Sequence, residues 1–94
     1  MAATFEWDPA KAARNYATHG VTFDEASTVF RDPLGRIVDD PRHSRGEDRF
    51  VIIGSSKRSR LIAVMFTERR ERIRLISARL VTRAERRNYE ERTR

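Results

Sequence analysis

Two stretches of the chain hold residues whose types and spacing suit phosphate chemistry. Residues 61–66 and 73–78 are apolar runs of strand length, and between them stands the charged block Arg69-Arg70-Glu71-Arg72. This is the pattern of an antiparallel hairpin with a basic tip. Its register decides which side chains share a face. A two-residue loop at Arg70 and Glu71 sets Arg69 opposite Arg72 and Thr67 opposite Arg74; those four then share one face, and Glu68, Ile73, Leu75, Ser77 and Arg79 the other. A three-residue loop instead groups Glu68 with Arg72 and Arg74, and Thr67 with Ile73, Leu75, Ser77 and Arg79. The turn lacks Gly and Asn, which argues against a tight primed turn. Arginines facing each other across a strand pair repel unless an anion lies between them. A bound phosphate is one such anion; neutralisation by Glu68 and Glu71 at a solvated tip is the other reading.

The second stretch is 39–47, DDPRHSRGE, polar throughout and broken by Pro41 and Gly46. It reads as a loop. His43 and Glu47 are of chemical interest because histidine as a residue type titrates near neutral pH and can pass protons; a solvated loop histidine is the plainer alternative. His19 and His43 fall on different elements and Asp39 and Asp40 have no obvious partners, so no metal cluster and no cofactor is expected.

Ninety-four residues suffice for one domain, 1–94, with one modest core. The absence of cysteine rules out disulfides and thiolate metal sites and suits a reducing interior. No apolar run reaches membrane-spanning length, and the N-terminus lacks a basic segment followed by an apolar one, so a soluble, cytoplasmic protein is expected. The basic excess is uneven: residues 1–47 carry six Lys/Arg against eight Asp/Glu, and residues 48–94 carry fourteen against six. Eighteen of the twenty basic residues are arginine, whose planar fork matches phosphate and keeps its charge when partly desolvated. A nucleic acid or another polyanion is the partner class this implies. A basic protein drawn from an arginine-rich composition is the bland alternative.

The elements that must position these residues follow from caps and periodicity. Residues 5–7 alternate and suit a short edge strand. Asp8-Pro9 opens a helix that Gly20 closes near His19. Thr22-Phe-Asp-Glu25 has capping-box spacing and opens a second helix, stopped by Asp32-Pro33. Tyr16, Phe23 and Phe30 are expected in the core. Residues 34–38 and 49–54 read as strands ahead of the hairpin, joined to it by the basic turn at 55–59. Thr82-Arg-Ala-Glu85 has capping-box spacing again and opens a last helix to about Arg92, with a thin apolar face. Short sequential connections predict an antiparallel meander of four strands, covered on one face by the first two helices.

The fragments FEWDPAKAARNYATHGVTFDEA, FRDPL, HSRGEDRFVIIG, TER and RIRLISAR, followed by ER and YEE, taken in this order over residues 5–91, resemble the BrnT family, the toxin half of a bacterial type II toxin–antitoxin pair. The resemblance implies an α+β, RelE-like fold and a ribonuclease that cuts cellular RNA to arrest growth. It also implies a cognate BrnA-like antitoxin in a heteromeric complex, with DNA reached only through that antitoxin. Cleavage without a bound metal needs a base for the 2′-hydroxyl, cations for the phosphate and an acid for the leaving 5′-oxygen. Within the matched motifs, Arg69 and Arg79 are the expected phosphate holders, and Glu68, or else His43 or Glu47, the base or acid. Relatives often carry Gly at the hairpin tip, where this chain has Arg69-Arg70-Glu71-Arg72. Arg45, Lys57, Arg58, Arg74 and Arg86 would line a groove for RNA backbone, and Tyr89 either stacks on a base or packs as the main apolar residue of the last helix. A basic module that binds nucleic acid without cutting it, or an inactive relative, is the rival reading; a third is a basic surface that receives an acidic partner chain.

Overall fold

A computed structural model describes residues 3–39 and 48–93. Among the described residues, five strands and three helices follow one another as β1 (Thr4–Glu6), α1 (Pro9–His19), α2 (Phe23–Thr28) with a 3₁₀ turn at Val29–Arg31, β2 (Arg36–Asp39), β3 (Phe50–Ser55), β4 (Leu61–Arg69), β5 (Arg72–Leu80) and α3 (Arg83–Arg92). The caps foreseen in the sequence set the helices. Asp8 accepts from the Ala10 amide at 2.9 Å, and Gly20, at φ 69°, returns its N–H to the Tyr16 carbonyl, a left-handed position that glycine takes without Cβ strain. Thr82 and Glu85 form the full reciprocal capping box of α3. At α2 only half of the box forms: Thr22 accepts from the Glu25 amide, while the Glu25 carboxylate turns inward to Ser56 and Arg60.

The sheet runs β1-β5-β4-β3-β2, antiparallel except for β1, which pairs parallel with β5 through Thr4↔Arg72, Phe5↔Ile73 and Glu6↔Arg74. It is therefore a five-stranded mixed sheet and not the four-stranded antiparallel one expected. Sequential meander logic has no view of β1, whose place is set by distant contacts: Phe5 lies edge-on to Phe30 with ring centroids 5.1 Å apart, and Glu6 meets Arg74 at 3.0 Å.

One sheet face carries Ile52, Ile62, Val64, Phe66, Leu75 and Ala78 and packs on Val21, Phe23, Ala26 and Val29. Phe30 stacks edge-to-face on Phe66 at 4.9 Å, as foreseen for a core residue, but Tyr16 is 58 % exposed. The inward residue of α1 is Asn15, buried, whose carboxamide donates to the Val21 and Ala78 carbonyls and accepts from the Ala78 amide at 3.0 Å. Beyond the three residues that β1 covers, Asn15 thus supplies β5 with the peptide-like partner that a neighbouring strand would have given. A polar residue on an apolar helix face is what burial periodicity alone passes over. Gly54 admits the 3₁₀ turn, because a Cβ there would stand 3.0 Å from Asp32 Oδ2. No helix of the described residues is long and apolar enough to cross a membrane.

Candidate functional site

The β4–β5 register takes the two-residue loop: Arg69 pairs with Arg72, Glu68 with Ile73 and Thr67 with Arg74. Both loop residues are left-handed, Arg70 at φ 47° and Glu71 at φ 69°, the signature of the tight primed turn that the lack of Gly and Asn argues against. The long right-twisted ladder and the burial of Phe66 and Leu75 fix the register and impose this geometry on residues that disfavour it. The cost is about 1–2 kcal/mol for each residue.

Past Leu75 the pairing slips by one. Phe66 faces Leu75 but Met65 faces Ser77, so Ile76 is the extra residue of a β-bulge. The bulge reverses the alternation in the second half of β5. Arg79, which an unbulged two-residue register would put on the Glu68–Leu75 face, pairs with Ala63 and stands on the face of Thr67, Arg69, Arg72 and Arg74, opposite the α1–α2 core. Glu68, opposite Ile73, points to the other side and meets neither Arg69 nor Arg79.

At the base of the hairpin the Arg79 side chain is 28 % exposed and donates twice to Glu85, from Nη1 to Oε1 at 2.8 Å and from Nη2 to Oε2 at 3.1 Å. Such a fork-on-carboxylate pair is charge-assisted and fixed in direction. The Arg79 bond, with further help from the Thr82 amide, holds the Glu85 carboxyl below the usual carboxylate range against the opposing effect of burial; Arg79 is correspondingly raised. Glu85 opens onto a cleft of about 290 Å³ lined also by Arg36, Val38, Ile53, Asn88, Tyr89 and Arg92. The cleft walls are fixed from outside: Tyr89 donates to Asp32 at 2.6 Å, and Arg92 to the Leu34 carbonyl at 3.3 Å. Burial, then the Asp32 bond, push the Tyr89 hydroxyl up to about 12. Burial would raise Asp32, but donors from Ser55, Tyr89 and Leu34 outweigh it and hold it low. Tyr89 thus lines the cleft with its hydroxyl committed to Asp32.

At the tip, Arg69, Arg70 and Arg72 surround a shallow cleft of about 690 Å³ with Glu6. Glu6 on β1 bridges the two β5 arginines on that face, at 3.0 Å from Arg74 and 3.5 Å from Arg72, and does not stand between the facing Arg69 and Arg72; the bonds to Arg74 and Arg72 hold its carboxyl low. Arg69 and Arg79 lie six ladder steps apart on β4 coordinates, Arg69 itself and Ala63 opposite Arg79. At roughly 3.4 Å per residue that is about 20 Å, so the two arginines do not share one phosphate.

The other expected residues scatter. Lys57 and Arg58 sit on the β3–β4 turn against α2, with the Lys57 amide on Thr28 Oγ1 and Arg58 3.7 Å from Glu25. Arg74 is at the tip end, and Arg86 lies on exposed α3 beside Glu90 at 3.8 Å. They line no single groove. His43, Arg45 and Glu47 lie outside the described residues.

Glu85 and Glu6 are the two carboxylates that the sequence does not mark as site residues. Capping-box spacing singles out Glu85, though only as a helix start; nothing local marks Glu6 as the neighbour of residues 72–74.

The model of the family described as "Ribonuclease toxin, BrnT, of type II toxin-antitoxin system" matches residues 7–85. Among solved structures, the fold is similar to the crystal structure of the Brucella abortus ribonuclease toxin BrnT, with a TM-score of 0.66 and 21 % identity over 87 % of this chain and 100 % of that one. No curated protein matches in sequence. With 79 of its 94 residues inside the matched span, the chain belongs to the BrnT family of type II toxin–antitoxin ribonuclease toxins.

Proposed function

We propose that this chain is an endoribonuclease toxin that cuts RNA without a metal ion, is restrained by a BrnA-like antitoxin, and reacts at the Arg79–Glu85 pair. The observation that carries the placement is the bidentate, half-buried pair at the mouth of a cleft on the arginine-bearing face of the sheet.

In the resting pair the guanidinium keeps Glu85 ionised and aimed. When a phosphodiester enters, its oxygens compete for the same two N–H groups. As Arg79 turns its hydrogen bonds to the phosphate, Glu85 loses the partner that lowers its proton affinity, and it gains basicity at the moment the 2′-hydroxyl proton must leave. The 2′-oxygen then attacks phosphorus, the P–O5′ bond breaks, and a 2′,3′-cyclic phosphate and a 5′-hydroxyl end result. Arg79 stabilises the charge that builds on the non-bridging oxygens. A proton donor for the 5′-oxygen completes the reaction. His43 and Glu47 enter for that role on residue chemistry alone. Glu68, on the far face, is left out of it.

The test is expression of the gene alone in a bacterial host, with growth and total RNA followed beside Arg79→Ala and Glu68→Ala. Growth arrest and RNA breakdown in the wild type and in Glu68→Ala, and neither in Arg79→Ala, is the expected pattern. Intact RNA in cells holding soluble wild-type protein would instead favour a binding module.

A further inference from the structure

The tip of the β4–β5 hairpin concentrates three unfavourable features in four residues. Arg69 and Arg72 face each other across the ladder, a like-charge pairing that destabilises a sheet. Arg70 and Glu71 both occupy left-handed backbone without being glycine or asparagine. Glu6 compensates only part of the charge: it pairs with Arg72 and Arg74, while Arg69 and Arg70 have no ion-pair partner among the described residues. Glu6, Arg69, Arg70 and Arg72 border the same open cleft of about 690 Å³. Strain and like charge held together in one place persist where the arrangement has a use.

From this geometry we infer that the tip is a second phosphate-binding site, an anchor for the RNA backbone remote from the reacting bond. Glu6 fixes the Arg72 and Arg74 guanidinia and quenches their mutual repulsion. Arg69 and Arg70 stay open to the phosphates of a bound strand. The bulge at Ile76 gives the anchor its reach, because it returns Arg79 to the sheet face of Arg69 and Arg72, so both sites open on the same side of the sheet, with the buried Ala63, Met65 and Thr67 between them. The separation of about 20 Å along the ladder is a span that a dinucleotide does not bridge and a strand of several nucleotides does. The chain therefore selects single-stranded RNA by length, through contacts that read no base.

This inference rests on the reading of the chain as acting on RNA, and its test separates the two. Binding is measured on fully 2′-O-methylated single-stranded oligonucleotides, a dimer and a decamer, which present the same phosphates and cannot be cut. The wild type is expected to bind the decamer well above the dimer. The double substitution Arg69→Gln with Arg70→Gln should remove most of that difference and lower the salt slope of decamer binding by about 0.7 for each phosphate no longer neutralised. The pair Arg69→Lys with Arg70→Lys, which keeps the charge, should recover the slope. Decamer affinity and salt slope unchanged in the Gln pair would overturn the anchor, whatever else the tip touches. Tip-dependent binding by a protein that leaves unmodified RNA intact would keep the anchor and overturn cleavage, whereas cleavage with tip-independent binding would do the reverse.

Discussion

At the base of the β4–β5 hairpin, Arg79 is half-buried and held by Glu85 through two hydrogen bonds. At the tip, Arg69 and Arg70 stand in solvent around an open cleft. The same residue type thus stands in two physical environments on one sheet face. Partial burial lowers the local dielectric, so a guanidinium at the base acts strongly on a developing charge and from a fixed direction. At the tip, high dielectric and salt reduce each contact to a few tenths of a kcal/mol up to about 1 kcal/mol, which suffices to hold a strand but not to drive a reaction. On the reading proposed above, position along the hairpin, and not arginine content, divides chemistry from binding.

The largest effect is expected at the base. Arg79→Ala should lower kcat for RNA cleavage by roughly 100- to 1000-fold, as expected when a main charge-stabilising donor is removed, with the fold intact by circular dichroism. Glu85→Gln keeps the shape but removes the proposed base, and a loss of about 100-fold in kcat is expected. It should also abolish the acid limb of the pH–rate profile. In the wild type the limb in kcat/KM, which reports the free enzyme, is expected to follow Glu85, whose lowered pKa should leave activity flat through neutrality and let it fall only below the usual carboxylate range. A wild-type profile that already declines around neutral pH would point to a histidine instead.

A middle-sized effect concerns stability. Glu25 and Glu85 are both held below the usual carboxylate range by their arginine partners. A lowered carboxyl stabilises the fold above its unfolded pKa and loses that contribution as pH falls through its folded one. The melting temperature should therefore hold from neutrality to about pH 5 and fall below about pH 4. The sign reverses for Tyr89, raised to about 12: its contribution is full below the unfolded value of about 10 and is lost as pH climbs towards the folded one. Tyr89→Phe should cost about 1 kcal/mol in denaturant unfolding, since Asp32 keeps the Ser55 and Leu34 amides. The smallest effect sharpens the comparison by its absence: Glu68→Ala, on the opposite face, should leave cleavage and stability within error of the wild type.

Much of this arrangement is legible in the residues. Asp8-Pro9, Gly20 and Thr82-x-x-Glu85 act locally, and the helices begin and end where those caps place them. The charged block at 69–72 sits at a hairpin tip with the two-residue register, one of the two that the sequence allows. What escapes a reading of the sequence is non-local. The bulge at Ile76 depends on how β5 must satisfy both Leu75 and Ala78 against the core, and a one-residue slip there moves Arg79 to the other face. Glu6 meets Arg74 across 68 residues of chain, which no spacing rule encodes. Asn15 looks like one polar residue among alanines, yet its carboxamide completes the β5 edge. Each case turns on which face or edge a tertiary contact selects.

The most direct measurement is in vitro. Purified wild-type protein and Glu85→Gln are incubated with single-stranded RNA in excess chelator, and the ends of the products are identified. Expected from the wild type are fragments with 2′,3′-cyclic or 3′-phosphate ends in the presence of chelator, and from Glu85→Gln, as a folded protein, a loss of about 100-fold. Cleavage that proceeds equally in Glu85→Gln, or that stops when divalent ions are chelated, would contradict a metal-independent reaction centred on the Arg79–Glu85 pair.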